Sequence, residues 1–126
     1  MKSKILLAAQ VLLGLIFVLF GVNFFVPFIP IPPPNEAAGA FLGALFGTGY
    51  MFPWIKVTEI ICGLALLTGM FAPLALIILA PIILNIAGVH FILDTGGAPM
   101  TAAILVLSLL VAYRQKNAYA PLLKAK

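Results

Sequence analysis

Four apolar runs, three of them close to the roughly 20 residues that a helix needs to cross a hydrocarbon core and the last one short and reliant on its flanks, leave this chain almost no choice of fold. They cover residues 5–26, 53–70, 73–93 and 99–113. In lipid every backbone N–H and C=O must find its partner inside the protein, so an isolated run of that length has to be a helix. Composition closes the alternative of a soluble domain. With 64% hydrophobic and 8% charged residues in 126 positions, and a mean hydropathy of +1.25, there is too little polar surface to coat a globule of this size. The expected fold is therefore all-α, an integral membrane four-helix transmembrane bundle that forms a single domain over 1–126. The Met-Lys-Ser-Lys start resembles a signal peptide, but no small-x-small pattern follows the first run, which reads as a retained helix.

Pro53, Pro73 and Pro99 each stand near the start of a run, where a missing backbone N–H has no helical partner to lose. The second and third runs are joined only by Thr68-Gly69-Met70-Phe71-Ala72-Pro73, and the third and fourth by Asp94-Thr95-Gly96-Gly97, so both pairs are antiparallel hairpins. Four crossings put both termini on one side. Lys2, Lys4, Arg114, Lys116, Lys124 and Lys126 cluster there, which makes that side cytoplasmic by the positive-inside rule. Tyr50 and Trp54 then mark the outer interface and Tyr113 the inner one. The expected location is a cell membrane, crossed four times. A net charge of +4 concentrated at the termini gives no basic face for nucleic acid, and the single Cys62 excludes an internal disulfide or a paired-thiol site.

The one long connection, residues 27–52, opens with Pro27, Pro30, Pro32, Pro33 and Pro34, which favour a stiff extended backbone. Asn35 followed by Glu36 reads as an N-cap and an acidic first turn of a short extra helix ending near Phe46. Gly39, Gly43 and Gly47 would strip one face of it bare, so that another backbone could come close. Two readings stand side by side: a re-entrant or lid helix over the outer mouth of the bundle, or an interfacial helix that covers loops.

Chemistry has to come from polar residues inside the spans, because ionisable groups in hydrocarbon are costly and face a partner or a cavity. On the second helix Lys56, Glu59, Gly63 and Met70 fall on one stripe that should face the interior. His90 and Asp94 share a face of the third helix at a spacing of four, Asn85 lies on another side near Pro81, and Gln10, Gly14, Phe17 and Gly21 make a seam on the first. At about 1.5 Å rise per residue, Lys56 and His90 share a shallow depth, with Glu59 and Asn85 a turn deeper. The candidate ligand-binding set is Lys56, Glu59, Asn85, His90 and Asp94, with Asn23 at the outer end of the first helix. Lys56 pairs with Asp94, or else with Glu59 while His90 bonds Asp94; both pairings fit. Nothing has the tight spacing of a metal site, and no nucleophile triad, phosphate loop or dinucleotide fingerprint is present.

The succession Phe20-Gly21-Val22-Asn23-Phe24-Phe25, a proline-rich loop, Ala40-Phe41-Leu42-Gly43-Ala44-Leu45, Thr48-Gly49-Tyr50-Met51, Lys56-Val57-Thr58-Glu59-Ile60-Ile61-Cys62-Gly63-Leu64, Phe71-Ala72-Pro73-Leu74-Ala75-Leu76 and Ala80-Pro81-Ile82-Ile83-Leu84-Asn85, with His90, resembles the DoxX family of small bacterial membrane proteins. The chain departs from that family at Asn23, near which many relatives carry a basic residue. The resemblance implies four membrane helices and, for some members, a subunit of quinone-linked respiratory or sulfur-oxidising complexes. Such a subunit, not catalytic alone, would use Glu59, Lys56 and His90 to hydrogen-bond a quinone or similar amphipathic molecule. The alternatives are a carrier for a small solute and a structural or assembly subunit. Expected partners are the lipid bilayer, other membrane or redox subunits, or further copies of the chain.

Overall fold

The computed structural model describes residues 2–125, and among these every regular element is helical. In chain order they are α1 (Lys2–Phe25), α2 (Glu36–Gly47), α3 (Met51–Thr68), α4 (Ala72–Gly88, prolonged by a π-turn over Val89–Leu93), α5 (Ala98–Arg114, preceded by a 3-10 turn over Thr95–Gly97) and α6 (Lys116–Tyr119, followed by a 3-10 turn over Ala120–Leu123). Four of these segments, Lys2–Phe25, Met51–Thr68, Ala72–Leu93 and Thr95–Arg114, are long and apolar enough to cross a membrane. The chain is a multi-pass membrane protein. The fourth run, expected to be short, gains length from the 3-10 turn in front of it.

The four spans form a ring in which α1 packs on α3 and α5, and α4 on the same two. Successive spans alternate in direction, so each is antiparallel to both neighbours. Both termini lie at one end, and α2 with its flanking loops lies at the other. Leu13, Phe17, Cys62, Leu66, Leu79, Ile83, Ile104 and Val111 fill the interior. Outside, Ile61, Leu84, Ile92 and Leu109 are 61–79% exposed, a coat that only lipid can solvate. Because lipid tails are as apolar as leucine, burial alone cannot hold such helices together, and close packing must. The α1–α3 crossing provides it. A Cβ placed on Gly14 would stand 2.7 Å from the Gly63 carbonyl oxygen, and one on Gly63 would stand 2.8 Å from that of Gly14.

Local signals set the element ends. The Asn35 side chain accepts the Ala38 N–H at 2.9 Å and starts α2. The Thr48 hydroxyl accepts the Met51 N–H at 3.1 Å and starts α3. Gly69, at φ +79°, closes α3 in the left-handed conformation that favours glycine, with its N–H on the Ala65 carbonyl at 2.9 Å. Pro73 and Pro99 stand in the first turns of α4 and α5. Met70, expected on the inward stripe, lies beyond the end of α3 in that turn and is 64% exposed, because Gly69 ends the helical register before it.

After α5 the chain folds back under the bundle, which the apolar pattern does not announce. Tyr119 of α6 packs against the core, and its hydroxyl donates to the Pro73 carbonyl at 2.8 Å. At the opposite end α2 is peripheral: it borders α3 and the 89–93 turn, and of its residues only Ala38 is buried. Gly43 and Gly47 have nothing within 4 Å of the space a side chain would take. The glycine face expected to receive another backbone receives none from the described residues.

Candidate functional site

The charge inside the bundle is built by the α1–α3 crossing. Glu59, Cys62, Gly63 and Leu66 are the buried residues of α3, one stripe that faces α1 because Gly14 and Gly63 let the two backbones approach. Glu59, a turn from Gly63, is carried into the interior at 3% exposure. Lys56, three residues earlier, reaches back to it, with Nζ 3.1 Å from Oε2, and retains 20% of its side-chain surface. This is the one ion pair among the described residues. The contact is off-axis for a hydrogen bond, so Oε2 is held by charge while no donor is aligned on it. Of the two pairings the sequence allowed, Lys56 takes Glu59.

Asp94 is engaged elsewhere. Its Oδ2 accepts the Asn35 N–H at 2.9 Å and its Oδ1 the Gly96 N–H at 3.2 Å, while the Asn35 side-chain amide donates to the Leu93 carbonyl at 2.7 Å. Together these bonds fasten the start of α2 to the corner between α4 and α5. The two backbone donors, that of Asn35 first, hold the Asp94 carboxyl below the usual carboxylate range. Neither Lys56 nor a direct bond from His90 is its partner.

Asn23 is 5% exposed and is consumed by its own loop: Oδ1 accepts the Phe28 and Ile29 N–H groups at 2.7 Å each, and Nδ2 donates to the Ile29 carbonyl at 3.1 Å. Asn85 faces outward, with its amide on the Pro81 carbonyl of its own helix at 2.9 Å. His90 sits on the π-turn, against Gly97, where an added Cβ would collide with the imidazole. Its Nδ1 is buried and has no hydrogen-bond partner among the described residues. That turn borders α2, α5 and the 95–97 turn. Lys56 and Glu59 are thus together, whereas the expected convergence of Asn85 and His90 with them is not found. Equal depth along two helices does not fix rotation about their axes, and here it separates the residues.

One feature beside the pair went unread in the sequence. Phe52, four residues before Lys56 on the same stripe, stacks on Phe24 of α1 with centroids 5.6 Å apart and planes 11° from parallel, and Phe46 of α2 stands 6.1 Å from it. Phe52 was legible only as one more apolar residue near a helix start. At the terminal end Gln10, 2% exposed, donates to the Leu66 carbonyl at 3.1 Å and accepts from the Gln115 amide at 3.1 Å, so that its polar atoms are taken up by packing. Two surface hollows lie away from the ion pair. One lies among Lys2, Ser3, Leu6, Tyr113, Arg114 and Lys116, the other among Leu76, Ile77, Ala80 and Tyr119. Among the described residues no three His, Cys, Asp or Glu side chains gather as metal ligands would. No family model, curated protein or solved structure matches the chain.

Proposed function

We propose that this chain is a DoxX-like protein of the bacterial cytoplasmic membrane, with both termini cytoplasmic, acting as a membrane subunit that binds a quinone or similar amphipathic molecule beside Lys56 and Glu59. The observation that carries the reading is the buried ion pair one turn from the Phe24–Phe52 stack. Intramembrane charge is retained at a cost, and aromatic faces next to a cation and a carboxylate offer what a planar carbonyl compound needs: a surface for the ring, a donor for one oxygen and a group to exchange protons with. Lys56, the more exposed partner, is the first group such a ligand would meet. The test is mass spectrometry of lipids and quinones extracted from the purified protein. A quinone should accompany the wild type and fall at least fivefold in Glu59→Gln; its absence from the wild type would end this reading.

The structural or assembly-subunit reading also has an observation in its favour. Lys56 and Glu59 close on each other, and Asn23, Asp94 and Gln10 are satisfied by the chain itself. Full function in cells of a Lys56→Met/Glu59→Leu variant would select it over the quinone reading. A solute carrier gains less support, since Gln10, which would have to open an inner path, is bonded at both ends of its amide.

A further inference from the structure

We infer that the hollow between α1 and α5 at the terminal end is a binding site for the phosphate-bearing headgroup of an anionic membrane lipid. The charge distribution of the molecule points there first. All three acidic residues, Glu36, Glu59 and Asp94, lie at or near the α2 end, and of the six basic residues described only Lys56 accompanies them. The hollow, about 400 Å³ and open to the outside, is lined by Lys2, Arg114 and Lys116 with Ser3, Leu6 and Tyr113. No carboxylate pairs with these three cations among the described residues.

The cations are also ordered. Lys2 Nζ donates to the Tyr113 hydroxyl at 2.7 Å and stands 4.6 Å from the ring centroid, while Lys116 Nζ lies 4.4 Å from the same centroid. Tyr113 therefore draws two ammonium groups from different segments to one ring, despite their mutual repulsion, and Arg114 follows it in sequence. Arginine and lysine converging on one open hollow give the planar fork and point charges that phosphate oxygens take up.

A third feature separates a lipid from a free anion. Leu109 and Val106 stand four and seven residues before Tyr113, on the same face of α5, and are 71% and 56% exposed. Headgroup cations at the end of a span and an open apolar track running from them into the bilayer match a phospholipid with its acyl chains along the helix.

The experiment uses the full chain in mild detergent, with binding of phosphatidylglycerol and phosphatidylcholine followed by native mass spectrometry. Phosphatidylglycerol should bind at least tenfold more tightly to the wild type. Each cation removed from the hollow should cost roughly fivefold, so Arg114→Gln/Lys116→Gln should lose on the order of 25-fold. Lys4→Gln/Lys124→Gln, which removes the same charge outside the hollow, should lose less than threefold. Equal losses in the two double variants would overturn the site in favour of diffuse attraction, as would equal affinity for the two lipids. Inorganic phosphate at millimolar concentration should displace less than half of the phosphatidylglycerol; full displacement would make the ligand a free anion and overturn the lipid assignment. Should the hollow variant not fold, a photoactivatable phosphatidylglycerol with its diazirine in the acyl chain decides on the wild type. Crosslinks at Leu109, Val106 and Leu6 support the site, and crosslinks spread evenly over the exposed belt overturn it.

Discussion

Each polar residue near the α2 end is worth what its partner makes of it. Breaking a buried ion pair by removing one member leaves the other charge uncompensated and costs about 3–5 kcal/mol, whereas removing both together is close to neutral. Glu59→Gln and Lys56→Met should therefore each lower the thermal midpoint in detergent, and Lys56→Met/Glu59→Leu should recover most of the loss; single variants as stable as the wild type would mean that the 3.1 Å contact carries no energy. Asn23→Ala removes the acceptor of two backbone N–H groups and should cost about 2 kcal/mol in the same assay, with the loop at Phe28 and Ile29 loosened first. Asp94 gives a pH signature. Its folded carboxyl lies below the usual range because the Asn35 and Gly96 N–H groups favour the charged form, so its hold on α2 is complete above the ordinary carboxylate range and is lost as pH falls through the lowered value. Hydrogen-exchange protection at Ala38 and Gly39 should be the same at pH 5 and pH 7 in the wild type and reduced at both in Asp94→Ala; unchanged protection in the variant would show that α2 stays without this bond. From the sequence, Glu59 was legible as buried charge because a carboxylate in an apolar run has few other places to go. The roles of Asn23 and Asp94 were not, since both serve backbone N–H groups of loops whose path no periodicity describes.

At the level of elements, the glycines divide sharply by what stands opposite them. Gly63 meets the Gly14 carbonyl and Val18 across the α1–α3 crossing, where a Cβ would come within 2.8 Å of backbone oxygen, so Gly63→Val should force α1 and α3 apart. Expression of folded, monodisperse protein should collapse, and any that survives should expose Cys62 to thiol reagents, since that residue is buried beside the same interface. Gly43 faces open space within an exposed helix, and Gly43→Ala should stabilise by roughly 0.5–1 kcal/mol through helix propensity alone. A loss of stability there would reveal a contact made by α2 outside the single chain. Sequence spacing ranked these glycines the wrong way round: the regular series Gly39, Gly43, Gly47 looked like a packing face, and the isolated Gly63 earned notice only as part of a polar stripe. A four-residue period states which residues share a face, not whether anything stands across from it. The spans, their order and the Asn35 cap were legible because length, apolarity and local hydrogen bonding decide them; α6 was not, because its attachment, the packing of Tyr119 on the core and its bond to Pro73, is long-range.

Across the whole molecule the strongest asymmetry is electrical. Among the described residues five of the six basic ones, Lys2, Lys4, Arg114, Lys116 and Lys124, belong to the end that carries the termini, and all three acids to the half that carries α2. By the positive-inside rule such a distribution would orient the bundle with its termini inside, because moving several cations across the bilayer is far more costly than leaving them. The prediction is that the loop before α2 is outside and the chain after α6 inside. Ile31, 61% exposed and free of the hydrogen bonds that tie Asn35 to Asp94, is the place to probe the first, and Lys124, exposed beyond α6, the second. In a Cys62→Ala background, Ile31→Cys should react with a membrane-impermeant maleimide in intact cells and Lys124→Cys only after permeabilisation. The reverse pattern would invert the bundle and place the Lys2, Arg114 and Lys116 hollow on the outer leaflet. Labelling of both sites in intact cells would mean that the basic clusters do not settle one orientation.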